Sequence, residues 1–229
     1  MNKDFIKIGH RGAKGYIAEN TIESFKRAIE IGVDAIEIDV QLCKTGELIV
    51  FHDNRVDRLS NGSGMVCELD FDYLRSLDVG NGSIIPTLEE TLDFIDNRLL
   101  INIELKGIGT SKATYDIVDF YIRNRNWDKG NFLISSFNHI ELKVYKKLDS
   151  EMKIGVLLSC IPTDYALIAE KMGAYSINLS IEFISQEFID DAHKRGLLVL
   201  VYTVNSTDDI LRLKSMGADG IFSDFPDLL

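Results

Sequence analysis

Residues 32–53, GVDAIEIDVQLCKTGELIVFHD, hold the part of the sequence that decides the fold. Glu37 and Asp39 stand two positions apart in an apolar, β-branched stretch, so on a strand their side chains point to the same side. The turn residues Lys-Thr-Gly at 44–46 follow, and then a second apolar run that ends in His52. This pattern predicts a β-hairpin with polar side chains along one face.

The register of the hairpin decides which side chains meet across it. A turn centred between Thr45 and Gly46 makes the numbers of facing residues sum to 91, so we expect Asp39 directly opposite His52. Cross-strand neighbours are about 5 Å apart at Cβ. We therefore expect two carboxylates and an imidazole to converge at one point.

Strand-like and helix-like segments alternate through the rest of the chain. Setting residues 48–51 aside as the returning arm of the hairpin leaves eight strand-like runs. This alternation favours a parallel sheet, and eight units favour an α/β fold that closes as a (β/α)₈ TIM barrel. A doubly wound open sheet is the alternative, but no glycine-rich dinucleotide motif follows the first run. The predicted strands lie at 5–8, 35–38, 99–103, 132–134, 154–158, 175–179, 197–204 and 220–222, and the helices at 20–31, 87–97, 110–125, 138–149, 163–172, 184–195 and 207–216.

Local signals mark several helix ends. Asn20, with a carboxylate three residues on at Glu23, has the pattern of an N-cap. Glycine residues follow four of the helical runs, where a left-handed C-cap is expected. They are Gly32, Gly173, Gly196 and Gly217.

Residues 54–85 interrupt the alternation, because they are rich in Gly, Ser, Asn and Asp and too long for an ordinary barrel connection. We expect a single barrel domain over residues 1–229, in which this insertion follows the hairpin and caps the C-terminal face. Loops of this size at that edge are typical of lids and specificity elements, and a tolerated insertion is the alternative.

Composition narrows the classes of protein. The 229 residues carry a net charge of −11, which argues against binding nucleic acid through its phosphates. No segment approaches the ~20 apolar residues of a membrane span, and the charged N-terminal residues lack a signal region. Three scattered cysteines fit a reducing compartment better than a disulfide framework. We expect a cytoplasmic protein without membrane insertion, whose oligomeric state the sequence does not indicate.

Polar side chains follow the predicted strands at the barrel face where enzymes of this fold place their sites. His10 and Arg11 end the first strand. An imidazole suits acid–base catalysis, and a guanidinium suits a phosphoryl oxygen. On the strand near residue 103, Asn102, Glu104 and Lys106 share one side, which faces the interior of a closed barrel.

Three carboxylates, those of Glu37, Asp39 and Glu104, supply oxygen donors that suit Mg²⁺ or Ca²⁺ better than zinc. A divalent cation also resolves the difficulty of an acidic protein binding an anionic substrate, since it inverts the local field. Lys106 and Arg11 are placed to neutralise phosphate charge beside the cation. Simple pairing of Glu104 with Lys106 is the structural alternative.

Several other polar residues have ordinary interpretations. His139 opens a predicted helix and His193 lies on a solvated face, so neither is assigned to the site. Asn205 is interpreted as an N-cap, and residues 223–226 as the closure of the barrel. Tyr202 is the exception, because its ring is expected to project into the barrel mouth.

The motifs together resemble the glycerophosphodiester phosphodiesterase family of bacterial, cytoplasmic type, over nearly the whole chain. Any one motif is weak, but their order and spacing are highly specific. They are HRG at 10–12, EN at 19–20 followed by T-x-x-S-F, G-x-D-x-I-E-x-D-V at 32–40, HD at 52–53, NGSG at 61–64, PTLEE at 86–90, IELK at 103–106, SF at 136–137, TVN at 203–205 and DGIFSD at 219–224.

The resemblance implies a barrel with a small insertion after the HD motif. It also implies metal-dependent hydrolysis of glycerophosphodiesters to sn-glycerol 3-phosphate and an alcohol, in which a glycerol hydroxyl attacks phosphorus and a cyclic phosphate forms. The implied roles are Glu37, Asp39 and Glu104 for one Mg²⁺ or Ca²⁺ ion, His10 and His52 for proton transfer, and Arg11 and Lys106 for the phosphate.

One departure and two alternatives stay open. Relatives commonly carry Trp where this chain has Tyr202, which we expect to change how the glycerol or alcohol group packs. A phospholipase D-like enzyme that acts on lysophospholipids is one alternative reading. The other is a catalytically silent barrel that only binds phosphodiesters.

Overall fold

A computed structural model describes residues 5–229, in which nine strands and eight α-helices are found. The first four residues, which begin the charged N-terminal segment considered above, lie outside the described residues. The strands are β1 (Ile6–His10), β2 (Ala35–Leu42), β3 (Leu48–Val50), β4 (Leu100–Leu105), β5 (Phe132–Ser136), β6 (Ile154–Leu158), β7 (Ser176–Ser180), β8 (Leu198–Tyr202) and β9 (Gly220–Ser223). The helices are α1 (Ile22–Ile31), α2 (Phe71–Arg75), α3 (Leu88–Ile95), α4 (Thr110–Asn124), α5 (His139–Leu148), α6 (Leu167–Lys171), α7 (Gln186–Lys194) and α8 (Thr207–Met216).

Eight parallel strands close into a barrel. β1 pairs with β2 on one side and with β9 on the other, which joins the two ends of the sheet. The other parallel pairs follow the order β2–β4–β5–β6–β7–β8–β9, while β3 is antiparallel to β2 and stands outside the barrel. The predicted (β/α)₈ TIM barrel is therefore confirmed, including the exclusion of the hairpin arm from the strand count.

The hairpin of β2 and β3 differs by one residue from the predicted register. Val40 faces Val50, so facing residues sum to 90 and not to 91. Asp39 therefore faces Phe51, whose N–H donates to the Asp39 carbonyl at 2.9 Å. The prediction that Asp39 lies directly opposite His52 was wrong, and His52 reaches the site from the segment that follows β3.

The turn explains this shift. Residues 44–46 form a three-residue loop, which is closed by a 3.0 Å hydrogen bond from the Cys43 N–H to the Glu47 carbonyl. Gly46 has a φ of +101°, a conformation that glycine adopts without strain. A three-residue loop is centred on its middle residue, whereas the predicted two-residue loop is centred between residues.

The glycines that follow four helical runs have positive φ, as predicted. At Gly32 the φ is +89°, and the N–H donates to the carbonyls of Ala28 and Ile29, which closes the last turn of α1. The others have φ of +61° at Gly173, +76° at Gly196 and +93° at Gly217.

Some helix bounds differ from the prediction. The N-cap of α1 is Thr21, whose hydroxyl accepts from the Ser24 N–H, so the prediction of Asn20 as the cap was wrong by one residue. α6 is shorter than the predicted 163–172, and α2, inside the insertion, was not predicted. The cap moves because Asn20 has a left-handed φ of +58° and directs its side chain to the barrel instead.

Strand alternation separates the core from the site. The outward residues of β2, such as Ile36 and Ile38, pack in the main hydrophobic core that includes the helices. One layer below the polar residues, a smaller apolar cluster fills the barrel interior near its N-terminal end. Its buried members are Ile8, Ala35, Leu133, Leu200 and Phe222.

The insertion has an apolar cluster of its own, in which Val66 and Leu74 pack with Ile49 and Phe51. It leaves the barrel after β3 and returns just before α3. The Val50 N–H donates to the Pro86 carbonyl at 2.8 Å, so the points of exit and return adjoin each other. The insertion is thus held by its own apolar contacts and by the hydrogen bond that joins the two segments flanking it.

Candidate active site

A pocket of about 260 Å³ opens where the parallel strands end. Seven of the eight predicted site residues line it, and Asp39 lies directly behind them in contact with Arg11. The strands bring them together because all parallel strands end at the same rim. The seven are His10, Arg11, Glu37, His52, Glu104, Lys106 and Tyr202.

Glu37, Asp39 and Glu104 each place a carboxylate oxygen within 4.8 Å of the others. This follows from the sheet, since β2 and β4 are neighbours and Asp39 is paired with Glu104. Within the described part of the chain, the buried atoms Oε1 of Glu37 and Oδ1 of Asp39 have no hydrogen-bond partner. Buried carboxylate oxygens that have neither a hydrogen bond nor a bound cation are costly, so the cluster fits a divalent metal ion.

Repulsion inside the cluster appears as opposed pKa shifts. Burial, together with the charge of Asp39, raises the pKa of Glu104 to about 7 and raises that of Glu37 well above its usual range. Burial also acts on Asp39, but Arg11 and Lys106 outweigh it and lower the pKa. A divalent cation favours all three ionised carboxylates, which removes this conflict.

Arg11 is held by acidic residues on three sides. Its backbone has a left-handed φ of +51°, and its N–H donates to Glu37 Oε2 at 2.9 Å. The guanidinium Nη1 donates to Glu19 Oε1 at 2.5 Å, and Nε lies 3.2 Å from Asp39 Oδ2. The side chain lines the pocket and brings a fixed positive charge to its wall.

Lys106 brings a second positive charge to the lining of the pocket. Its Nζ donates to Glu104 Oε1 at 2.9 Å and lies 3.7 Å from Asp39 Oδ1. The pairing of Glu104 with Lys106, the structural alternative, is therefore present. It occupies only one oxygen of Glu104, and so it does not exclude a cation at the cluster.

His10 is oriented by Asp224, which follows β9. Nδ1 of His10 lies 2.6 Å from Asp224 Oδ1, and Nε2 is directed toward the cluster, 4.0 Å from Glu37 Oε2. Asn205 holds Asp224 in turn, because its Nδ2 donates to Oδ2 at 2.9 Å and its Oδ1 accepts the Asp224 N–H. Burial lowers the pKa of His10, against the opposing effect of Asp224.

His52 has the same arrangement with its neighbour in sequence. Its Nδ1 lies 2.6 Å from Oδ1 of Asp53. Arg58, from the insertion, holds both oxygens of Asp53, and its hydrogen bonds keep the pKa of that carboxyl well below its usual range. Burial lowers the pKa of His52, and the charge of Asp39 opposes this shift.

Gln41 fixes the backbone of this segment. Its buried Nε2 donates to the carbonyls of Phe51, His52 and Asp53 at 2.9, 3.1 and 2.7 Å. A single side chain on β2 therefore sets the path of the chain through the HD motif.

Tyr202 lines the mouth of the pocket, as predicted. Its hydroxyl donates to the Leu158 carbonyl at 2.8 Å, so the ring and not the hydroxyl is the surface that the pocket offers. The ring of Phe137 meets it edge to face, with centroids 5.7 Å apart. Together they form an aromatic wall.

Sequence reasoning missed several residues of the site. Asp224 was interpreted as part of the barrel closure, and Asn205 as an N-cap, although the cap of α8 is Ser206. Asn20 donates to Asp39 Oδ2 at 2.9 Å. Two features of the sequence could have indicated these residues: Asp224 and Asn205 each stand just after a strand, and Asn20 belongs to the EN motif.

The two histidines that were not assigned to the site lie outside the pocket lining. His139 Nε2 is 3.1 Å from the Leu157 carbonyl, and His193 Nε2 is 2.9 Å from Asp219 Oδ2.

Over residues 5–229 we find no helix whose length and apolar composition would let it cross a membrane.

Comparison with known proteins gives the same assignment. The model of the glycerophosphoryl diester phosphodiesterase family matches residues 10–228. A glycerophosphodiester phosphodiesterase of Caldanaerobacter subterraneus is 38% identical over 233 residues, which cover 98% of this chain and 96% of that protein. Another, from Bacillus altitudinis, is 35% identical over 96% of this chain and 94% of that protein. A phosphodiesterase of Oleispira antarctica, solved with its product sn-glycerol-3-phosphate, superposes with a TM-score of 0.88 at 30% identity over 96% of this chain and 93% of that one. The chain belongs to the glycerophosphodiester phosphodiesterase family.

Proposed function

We propose that this protein hydrolyses glycerophosphodiesters to sn-glycerol 3-phosphate and an alcohol, by metal-dependent acid–base catalysis. One observation carries the proposal. Two imidazoles, each held at Nδ1 by an aspartate, share a pocket with a buried cluster of three carboxylates. The product bound by the Oleispira antarctica relative is the product expected of this reaction.

Glu37, Asp39 and Glu104 are the proposed ligands of one divalent cation, Mg²⁺ or Ca²⁺. Their buried oxygens without partners support this assignment, and the all-oxygen donor set suits either ion. When bound, the cation stabilises negative charge on the non-bridging phosphate oxygens. Mg²⁺ requires a nearly ideal octahedral site, whereas Ca²⁺ accepts more ligands in a more flexible arrangement.

His10 and His52 are the proposed acid–base pair. Because Nδ1 of each ring is held by an aspartate, Nε2 is the nitrogen that remains for the substrate. One imidazole takes the proton of the glycerol 2-hydroxyl as that oxygen attacks phosphorus. The other protonates the alcohol oxygen as its bond to phosphorus breaks, which leaves a cyclic phosphate. Water then opens the cyclic phosphate with the two roles exchanged.

Arg11, Lys106 and Tyr202 complete the proposed site. Both cationic side chains line the pocket beside the carboxylate of Asp39, where they bind phosphate oxygens and orient the substrate. The ring of Tyr202 packs against the carbon chain of the glycerol or of the alcohol. Its place beside Phe137 supports an apolar contact there.

The insertion over residues 54–85 is proposed to cap the C-terminal face of a single barrel domain. Its contact with Asp53 through Arg58 supports that position. A cytoplasmic location is also proposed, since all three cysteines are free thiols and a reducing compartment keeps them so.

The direct test is release of sn-glycerol 3-phosphate from glycerophosphocholine or glycerophosphoethanolamine by the purified protein with Mg²⁺ or Ca²⁺. Activity is expected to disappear on chelation and to fall severely in His10→Ala. Full activity after complete metal removal contradicts the mechanism. Tight binding of the substrate without turnover instead favours the catalytically silent barrel.

One observation favours lysophospholipids as a second substrate class. Large apolar side chains are exposed on the loops after β4 and β5, where Ile108 is 89% exposed and Phe137 is 44% exposed. An acyl chain could rest on them. The ratio of rates on deacylated and monoacylated substrates of the same head group separates the two classes.

A further inference from the structure

Arg58 belongs to the short 3₁₀ turn Val56–Arg58 in the insertion, yet its guanidinium reaches two carboxylates at the rim of the pocket. Nε donates to Oδ2 of Asp53 at 2.6 Å and Nη2 donates to Oδ1 at 2.8 Å, a bidentate pair. The same Nη2 lies 3.4 Å from Oε1 of Glu19. One guanidinium therefore bridges two carboxylates that come from different parts of the barrel rim.

Each of these carboxylates holds a residue of the proposed machinery. Asp53 Oδ1 is 2.6 Å from Nδ1 of His52, and Glu19 Oε1 is 2.5 Å from Nη1 of Arg11. Nη2 of Arg58 contacts these same two oxygens, Oδ1 of Asp53 and Oε1 of Glu19. Arg58 is thus one contact away from a proposed acid–base group and from a proposed phosphate ligand.

Stability alone does not account for this arrangement. The Arg58 side chain is 54% exposed, and exposed ion pairs contribute little to folding. A bidentate pair does fix the plane of a carboxylate, because both oxygens are held at once. With Arg58 in place, the carboxylate of Asp53 cannot rotate away from His52 without breaking two hydrogen bonds.

We propose that Arg58 is a positioning residue through which the insertion holds Asp53 and Glu19, and hence His52 and Arg11, in their working orientation. The inference rests on the proposed function and assigns the insertion a part in catalysis beyond covering the site. Arg58 itself touches neither the carboxylate cluster nor, by this proposal, the substrate.

The test compares Arg58→Ala and Arg58→Lys with the matched control Arg55→Ala. Arg55 lies three positions earlier in the same insertion, is similarly exposed, and pairs with Asp57 at 3.0 Å away from the pocket. We expect Arg58→Ala to lower kcat by about 10- to 100-fold, the usual effect of removing a partner of a site residue, with a smaller change in KM. Arg58→Lys should restore part of kcat, because an ammonium supplies the charge but not the fork. Arg55→Ala should match the wild type.

Chemical rescue separates positioning from a fault in folding. Millimolar guanidinium should raise kcat of Arg58→Ala toward that of Arg58→Lys and leave Arg55→Ala unchanged. In an Asp53→Ala background, Arg58→Ala should lower kcat much less than in the wild type, since only the longer contact with Glu19 is then left to lose. Equal kcat for Arg58→Ala and Arg55→Ala overturns the inference, as do full additivity with Asp53→Ala and a loss that guanidinium does not relieve. If the wild type releases no sn-glycerol 3-phosphate in the same assay, the proposed function itself has failed.

Discussion

Nδ1 of His10 lies 2.6 Å from Oδ1 of Asp224, although 214 positions separate the two residues in the chain. The contact exists because β1 and β9 are paired neighbours at the seam where the barrel closes. Asp224 is held in turn by Asn205. The closure of the barrel therefore also serves the site, because it brings Asp224 to His10 and so sets the orientation and tautomer of that imidazole.

Asp224→Asn should lower kcat by about 10²- to 10⁴-fold, the range expected when a buried partner no longer fixes the tautomer of a catalytic imidazole. The amide offers Nδ1 either a donor or an acceptor, so Nε2 is no longer held in one protonation state. Steady-state kinetics measure the effect, and thermal unfolding shows whether the fold is kept. Asp227→Asn, three residues further on and bonded to the hydroxyl of Tyr16, is the control that should keep its activity. A kcat for Asp224→Asn close to that of the control contradicts this role.

Glu104→Gln should remove cation binding without harming the fold. With Mg²⁺ or Ca²⁺ at 100 times its Kd, the wild type should gain about 2.7 kcal/mol of unfolding free energy, and the variant should gain little. In chelator the variant should be at least as stable as the wild type, because burial and Asp39 oppose the charge of Glu104. Thermal midpoints with and without each ion measure both effects, with the exposed Glu89→Gln as the control. A metal-dependent rise in the variant as large as in the wild type rules out Glu104 as a ligand.

Glu141 on α5 supplies a cap to the neighbouring helix α4. Its Oε1 accepts the Gly109 N–H at 2.8 Å, and its Oε2 accepts the Ser111 N–H at 3.0 Å and the Ser111 hydroxyl. The N-cap position of α4 is itself a glycine without a side chain to do this. Burial raises the pKa of Glu141, but these hydrogen bonds outweigh it and the net pKa is lowered.

A depressed carboxyl pKa stabilises the fold at high pH and ceases to do so as the pH falls. Glu141→Gln should therefore cost about 1.5–3 kcal/mol of unfolding free energy at neutral pH, where the wild-type group is a charged acceptor. The difference should shrink as the pH drops below about 4, through the unfolded and then the folded pKa. Urea unfolding at several pH values checks this, with exposed Glu187→Gln on α7 for comparison. A difference that grows on acidification has the opposite sign and refutes the assignment.

Gln41→Leu keeps the size of the side chain but removes the donor shared by three carbonyls of residues 51–53. The Phe51 carbonyl is buried and those of His52 and Asp53 are partly buried, and carbonyls left there without partners cost about 1–3 kcal/mol of unfolding free energy. We also expect kcat to fall by about 10-fold or more, because the backbone that carries His52 loses its fixed path. Kinetics and urea unfolding are both required. Exposed Gln186→Leu should change neither, and a stable Gln41→Leu with normal kcat excludes the role.

Much of this molecule could be predicted from periodicity. Alternating apolar runs fix eight barrel strands, and Glu37, Asp39 and Glu104 meet as expected because a strand repeats every two residues and β2 adjoins β4. The hairpin register failed by one residue, since turn residues alone do not show whether a loop has two or three members. His52 still lines the pocket as expected, because it lies in the segment that follows β3 and does not depend on the hairpin register.

The residues that orient the histidines could not be predicted in the same way. Asp224 meets His10 only through barrel closure, and Arg58 meets Asp53 only through the path of an irregular insertion. No repeating pattern of apolar and polar residues indicates either contact. Both depend on side-chain directions at the ends of segments, where charge and hydrogen bonding decide the conformation and hydrophobic patterning does not.

The hydrogen bond between Val50 and Pro86, which flank the insertion over residues 54–85, has an evolutionary consequence. A segment whose two ends already touch can be lengthened, shortened or exchanged like a cassette, and the loop-closure entropy changes by only about 0.6 kcal/mol for each doubling of length. The barrel register is untouched by such an exchange. Such an exchange leaves the residues at the ends of the barrel strands in place. By the positioning role proposed for Arg58, the replacement must still bring a positive charge to Asp53.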